Sequence, residues 1–99
     1  MPASRQISIR KTIPANTEEV FLLHKIYPPI TLNLIPGDGG SGNVYYSISP
    51  VSNINANTAY WAEWEQGQVS VASIDVILSP VNAIKVSAID EDLIIELLA

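Results

Sequence analysis

Apolar residues recur at every second position along most of this chain, the spacing of strands that turn one face toward a core. Ile7, Ile9 and Ile13 alternate with Ser8, Arg10 and Thr12, which predicts a first strand over residues 6–13, stopped by Pro14. Ile30, Leu32 and Leu34 predict a strand over 30–35 that ends at Pro36-Gly37, and Val44, Tyr46 and Ile48 predict one over 43–49 that ends at Pro50. Residues 58–64, 73–79, 82–88 and 93–98 continue the pattern, separated by Gln66-Gly67, Ser79-Pro80 and the acidic turn Asp90-Glu91-Asp92. Residues 51–57 read as a loop. The stretch 19–26 is ambiguous: Asn16 or Thr17 could cap a short helix, while Val20, Leu22 and His24 could equally alternate along a strand, the reading favoured here.

About eight short strands with no crossover helix predict an all-β fold, an antiparallel β-sandwich of jelly-roll or immunoglobulin-like type. Residues 1–13 read as an N-terminal arm or first strand, and residues 14–99 as a single sandwich domain. Ninety-nine residues suffice for one core, burying roughly 60–65% of the unfolded chain's surface. A 47% hydrophobic content against 15% charged residues excludes a disordered chain, and seven Pro and five Gly supply the turns. One internal echo stands out: Ile48-Ser-Pro-Val-Ser-Asn-Ile54 resembles Leu78-Ser-Pro-Val-Asn-Ala-Ile84, too few copies for a solenoid.

Several runs are apolar on both strand faces, among them Leu22-Leu23, Leu34-Ile35, Val76-Ile77-Leu78 and Leu93-Ile94-Ile95. Tyr60, Trp61 and Trp64 pose the same problem, because neighbours on a strand face opposite ways and cannot all enter one core. The surplus points to a second subunit, as a homodimer or homotrimer or on a larger assembly. Tyr60, Trp61 and Trp64 are therefore candidate interface residues, together with Arg5, Ile7, Ile9 and Arg10 of the N-terminal segment.

Charge narrows the partners. The net charge is −5, yet residues 1–25 are net positive, and from residue 26 onward Lys85 alone faces eight acids, which disfavours nucleic acid. The basic segment complements the acidic body and is expected to pair with a neighbouring chain. No long apolar run marks a signal or membrane span, so synthesis in the cytoplasm is expected, and without cysteine neither disulfides nor thiolate metal sites enter.

Candidate chemistry is sparse. Gly37-Asp-Gly-Gly-Ser-Gly42 formally matches a dinucleotide fingerprint, but a strand, NVYYSIS, follows where a helix is required, so a glycine hairpin is the better reading. His24 is the sole histidine, and nothing brings it to Ser41 and Asp38 as a triad. Asp90, Glu91 and Asp92 read as a solvated turn rather than a calcium site. No catalytic residue, cofactor or metal is expected, and the chain is expected not to be an enzyme.

Residues 45–88, YYSISPVSNINANTAYWAEWEQGQVSVASIDVILSPVNAIKVSA, resemble a short virion-protein family of tailed bacteriophages, through a strand ending in Ser-Pro, then Thr-Ala-x-Trp, a Gly turn and a second Ser-Pro-Val-x-Ala-Ile. IPANT at 13–17 and the glycine loop at 37–42 fit the same pattern. The resemblance implies a head decoration or cement protein, a β-sandwich on the capsid surface bound to the major capsid protein or other virion subunits. A tail, neck or fibre component, and a carbohydrate-binding module using Tyr60, Trp61 or Trp64, are the alternatives.

Overall fold

The computed structural model describes residues 7–99. Eight antiparallel strands and one short helix follow in the order β1 (Ser8–Ile13), β2 (Glu18–Leu22), β3 (Ile30–Pro36), β4 (Ser41–Ser47), α1 (Val51–Asn55), β5 (Ala62–Glu63), β6 (Ser73–Ile77), β7 (Ala83–Ile89) and β8 (Leu93–Leu98). They form two four-stranded sheets, β1-β8-β3-β6 and β2-β7-β4-β5. First pairs with last, second with seventh, third with sixth and fourth with fifth. This nested order is a jelly roll; an immunoglobulin sandwich divides its strands differently.

Alternation fixes the core. Ile13, Leu32, Leu34, Leu93, Ile95 and Leu97 face inward from one sheet, Val44, Ile84, Val86 and Ala88 from the other, and Leu23, Ile30, Ile77 and Trp64 join them. Among the described residues no helix is long and apolar enough to cross a membrane.

The structure adjusts several boundaries and resolves one ambiguity. Residues 18–22 are a strand, and the chain then turns, with the Ile26 amide donating to the Leu23 carbonyl. Residues 51–57, read as a loop, begin with the one-turn helix α1, opened by Pro50 and anchored by buried Ile54. The strand expected over 58–64 shrinks to two residues. The segment before it closes a loop instead: Thr58 bonds Asn53, and the Tyr60 amide bonds the Ser49 hydroxyl. The strands expected over 43–49 and 73–79 end at Ser47 and Ile77, which leaves Ile48 and Leu78 beyond the ladders. Finally, β4 begins inside the glycine motif. A Cβ on Gly40 would lie only 2.6 Å from the Glu91 Cβ, so this glycine serves close approach to the β7–β8 turn, and one on Gly42 would lie 2.9 Å from the side-chain methyls of Leu93 in the core.

That turn is pinned from a second side. The Asp90 amide donates to the Asn16 side chain and the Ala15 amide to the Asp92 carboxylate, so the Asp90 backbone and the Asp92 side chain lock the IPANT turn in place.

Candidate interaction surface

The sequence-derived candidates separate into distinct environments. Arg5 lies outside the described residues. Ile7 exchanges backbone hydrogen bonds with Ala99, and Ile9 packs against the core. Arg10 is exposed on the outer face of its sheet, with its guanidinium 2.9 Å from Glu96. Residues 8–13, expected to reach a neighbouring chain, pair along one edge with β8 of the same chain. Trp64 corrects the sequence reading most clearly: at 2% exposure it is a core residue, its indole N–H donating to the Gly67 carbonyl at 2.6 Å. Trp61 takes the opposite side, half-buried, with the Lys85 ammonium 4.5 Å from its ring centre. Tyr60 is 80% exposed.

Tyr60 belongs to a group that the alternation pattern does not assemble. Ile48 and Leu78, each 77% exposed, follow the ends of β4 and β6 and each precede a Ser-Pro turn. The Asn82 side chain donates to the Ser49 carbonyl at 2.8 Å and the Ser49 hydroxyl accepts from the Tyr60 amide at 3.0 Å, which holds Ile48 and Tyr60 beside each other. Tyr46 and Val81 lie half-buried between them as the floor of a cleft of about 310 Å³. A second cleft of about 370 Å³ shares that floor and continues past Val76 and Leu78 to the carboxylates of Glu65 and Asp75. The result is a continuous apolar trough on the β5–β6 side of the sandwich, acidic at one end.

Electrostatics sharpen it. Burial first, and then the carboxylates of Asp75 and Glu65, push the Tyr46 phenol above its ordinary value. The carboxylates give the acidic end affinity for a cation and leave the other end suited to aliphatic or aromatic side chains.

Two clues in the sequence point here. The repeated apolar-Ser-Pro-Val echo supplies Ile48 from one copy and Leu78 with Val81 from the other, and the triple apolar run at 76–78 supplies the wall. What alternation alone misses is that strands ending early release these residues from the sheet register.

Another cleft, of about 280 Å³, lies on the outer face of β1-β8-β3-β6, where Ile74 and Leu98 flank Arg10, Glu96 and Asn33. The Asn33 amide donates to Glu96 at 3.0 Å, while its buried carbonyl oxygen finds no partner among the described residues. His24 is exposed, and among the described residues no three His, Cys, Asp or Glu side chains gather as a metal site.

No family model matches the chain, and no curated protein matches it. Among solved structures it is similar to RmlC from Streptococcus suis, determined in complex with dTDP-D-xylose, at 11% identity and a TM-score of 0.48, over 95% of this chain and 43% of that one. The chain thus spans less than half the length of that neighbour, and a likeness at this level carries no argument about function. The surface is therefore defined by its own geometry: an apolar trough of early-ending strands and Ser-Pro turns, closed at one end by two carboxylates.

Proposed function

We propose that this protein is a non-enzymatic structural subunit that binds other protein subunits through the β5–β6 trough, in the manner of a capsid decoration or cement protein. The observation that carries the reading is the set of Ile48, Tyr60, Val76 and Leu78, large apolar side chains left in solvent around two adjoining clefts that share Tyr46 and Val81 as their floor. Monomeric proteins rarely expose such a contiguous patch, and an aromatic anchor beside an acid rim is the composition of a protein-binding site. The resemblance to short phage virion proteins supplies the setting: a virion, with the major capsid protein or another virion subunit as partner. A carbohydrate site needs adjacent free ring faces, whereas here Lys85 covers Trp61 and Tyr60 stands exposed without it.

The test compares particles carrying the wild-type protein with particles carrying Tyr60→Ala or Leu78→Asp. Both variants are expected to fold, because their side chains lie outside the core, and to occupy the particle at reduced copy number. Depleted particles are expected to assemble yet rupture at lower temperature, since many modest contacts reinforce a shell collectively. Equal heat and osmotic resistance with and without the protein would refute the cement role. A ring of high symmetry in mass measurement of the free protein would instead favour a tail or neck position.

A further inference from the structure

The two long sides of the sandwich treat their strand edges in opposite ways. On the β6 side two of the four outward backbone groups of Ile74 and Val76 are occupied: the Gln66 side chain donates to the Ile74 carbonyl at 3.2 Å, and the Val76 amide donates to the adjacent Asp75 carboxylate at 2.7 Å. Side-chain plugs of this kind stop a sheet from recruiting another strand. On the β1 side there are none. Ile7 and Ala99 exchange both backbone bonds, so Ile9, Lys11 and Ile13 also face β8, and the amides and carbonyls of Ser8, Arg10 and Thr12 point away from it. Those six groups have no partner among the described residues. Lys11 pairs with Glu19 of β2, which ties the two sheets together along this side.

We infer that the β1 edge pairs antiparallel with the β1 edge of a second copy, joining two four-stranded sheets into one of eight strands. An open edge selects an extended strand, and the positions here are self-complementary. With Arg10 opposite its twofold mate, Ser8 of one copy faces Thr12 of the other. All six free groups of each strand are then used, in six hydrogen bonds. Ser opposite Thr is a favourable cross-strand pair. The central row runs Glu96, Arg10, Arg10, Glu96 across the two copies and sums to zero charge, because each Arg10 keeps its own Glu96. The inference extends the assembly reading by naming a second copy of this chain as partner, on the side opposite the trough. A dimer that binds no particle would leave it standing, and a monomer that binds through the trough would overturn it alone.

Sedimentation of the purified protein at about 100 µM, a concentration suited to a micromolar dimer, is expected to give twice the 10.7 kDa chain mass. Ser8→Pro and Thr12→Pro each remove an outward amide and no bond to β8, and each is expected to weaken the dimer roughly tenfold. Circular dichroism confirms that a variant folds. A cross-link reads the register without proline: the chain contains no cysteine, so the double variant Ser8→Cys/Thr12→Cys is expected to oxidise to a covalent dimer. Each single variant is expected not to, because its two thiols lie four positions apart along the strands, roughly 13 Å, beyond disulfide reach. A wild-type monomer at that concentration, or single variants that cross-link as readily as the double, would overturn the inference.

Discussion

Trp64 and Tyr60 sit four residues apart and do opposite things. Trp64→Ala would empty the largest fully buried side-chain volume and orphan the Gly67 carbonyl, at an expected cost of about 3–5 kcal/mol. Tyr60→Ala should stay within about 0.5 kcal/mol, because its ring stands in solvent. Urea unfolding of the two variants checks the contrast, and equal midpoints would contradict the assignment of core and surface. The sequence shows that these aromatics cannot share one core, but their sides depend on the register of Trp64, whose amide meets the Val44 carbonyl, and no local pattern encodes that long-range pairing. Tyr46 makes a second prediction at this scale. Its phenol holds its proton more tightly in the folded chain than in the unfolded one, where the ordinary value is 10.0. The associated stability is complete below about pH 10 and is lost as pH rises through the folded value. Wild type should therefore lose stability over that alkaline range faster than Tyr46→Phe, and parallel urea-midpoint profiles would contradict it.

Seven of the strands were legible because alternation marks their faces and Pro and Gly mark the breaks between them, and the ambiguous 19–26 segment resolved in favour of its β-branched and aromatic content. The remaining strand, β5, was overcalled for a physical reason. Thr58-Ala-Tyr-Trp-Ala-Glu-Trp64 has strand composition, yet the bonds from Asn53 to Thr58 and from Ser49 to Tyr60 commit its first half to closing a loop. Edges were not legible at all, since Gln66 and Asp75 look like ordinary surface polar residues in the sequence. Their removal has a definite consequence. The double variant Gln66→Ala/Asp75→Ala unplugs the Ile74 carbonyl and the Val76 amide beside exposed apolar side chains, and it should aggregate on warming at temperatures where wild type stays clear. Light scattering during a thermal ramp reads this, and unchanged onset would show that the plugs do not protect the edge.

For the whole molecule, the surplus of apolar residues over what one core can hold was visible in the double-faced runs, whereas the place where it surfaces was not. The two inner strands of the β1-β8-β3-β6 sheet absorb Leu34-Ile35 and Leu93-Ile94-Ile95, and the excess is expelled at the ends of β4 and β6 to make the trough. Assigned this way, the sandwich has a trough for a foreign subunit on one side and an open edge for its own copy on the other. The nested winding adds a mechanical corollary. Ile7 and Ala99 are hydrogen-bonded neighbours, so a pull applied at these two residues acts across the β1–β8 ladder and opens its bonds one after another, like a zipper. A pull along the strands would load all of them at once. A molecule wound this way resists force poorly when tethered by its ends and well when gripped by its flanks, so any tension it carries must enter through its sides.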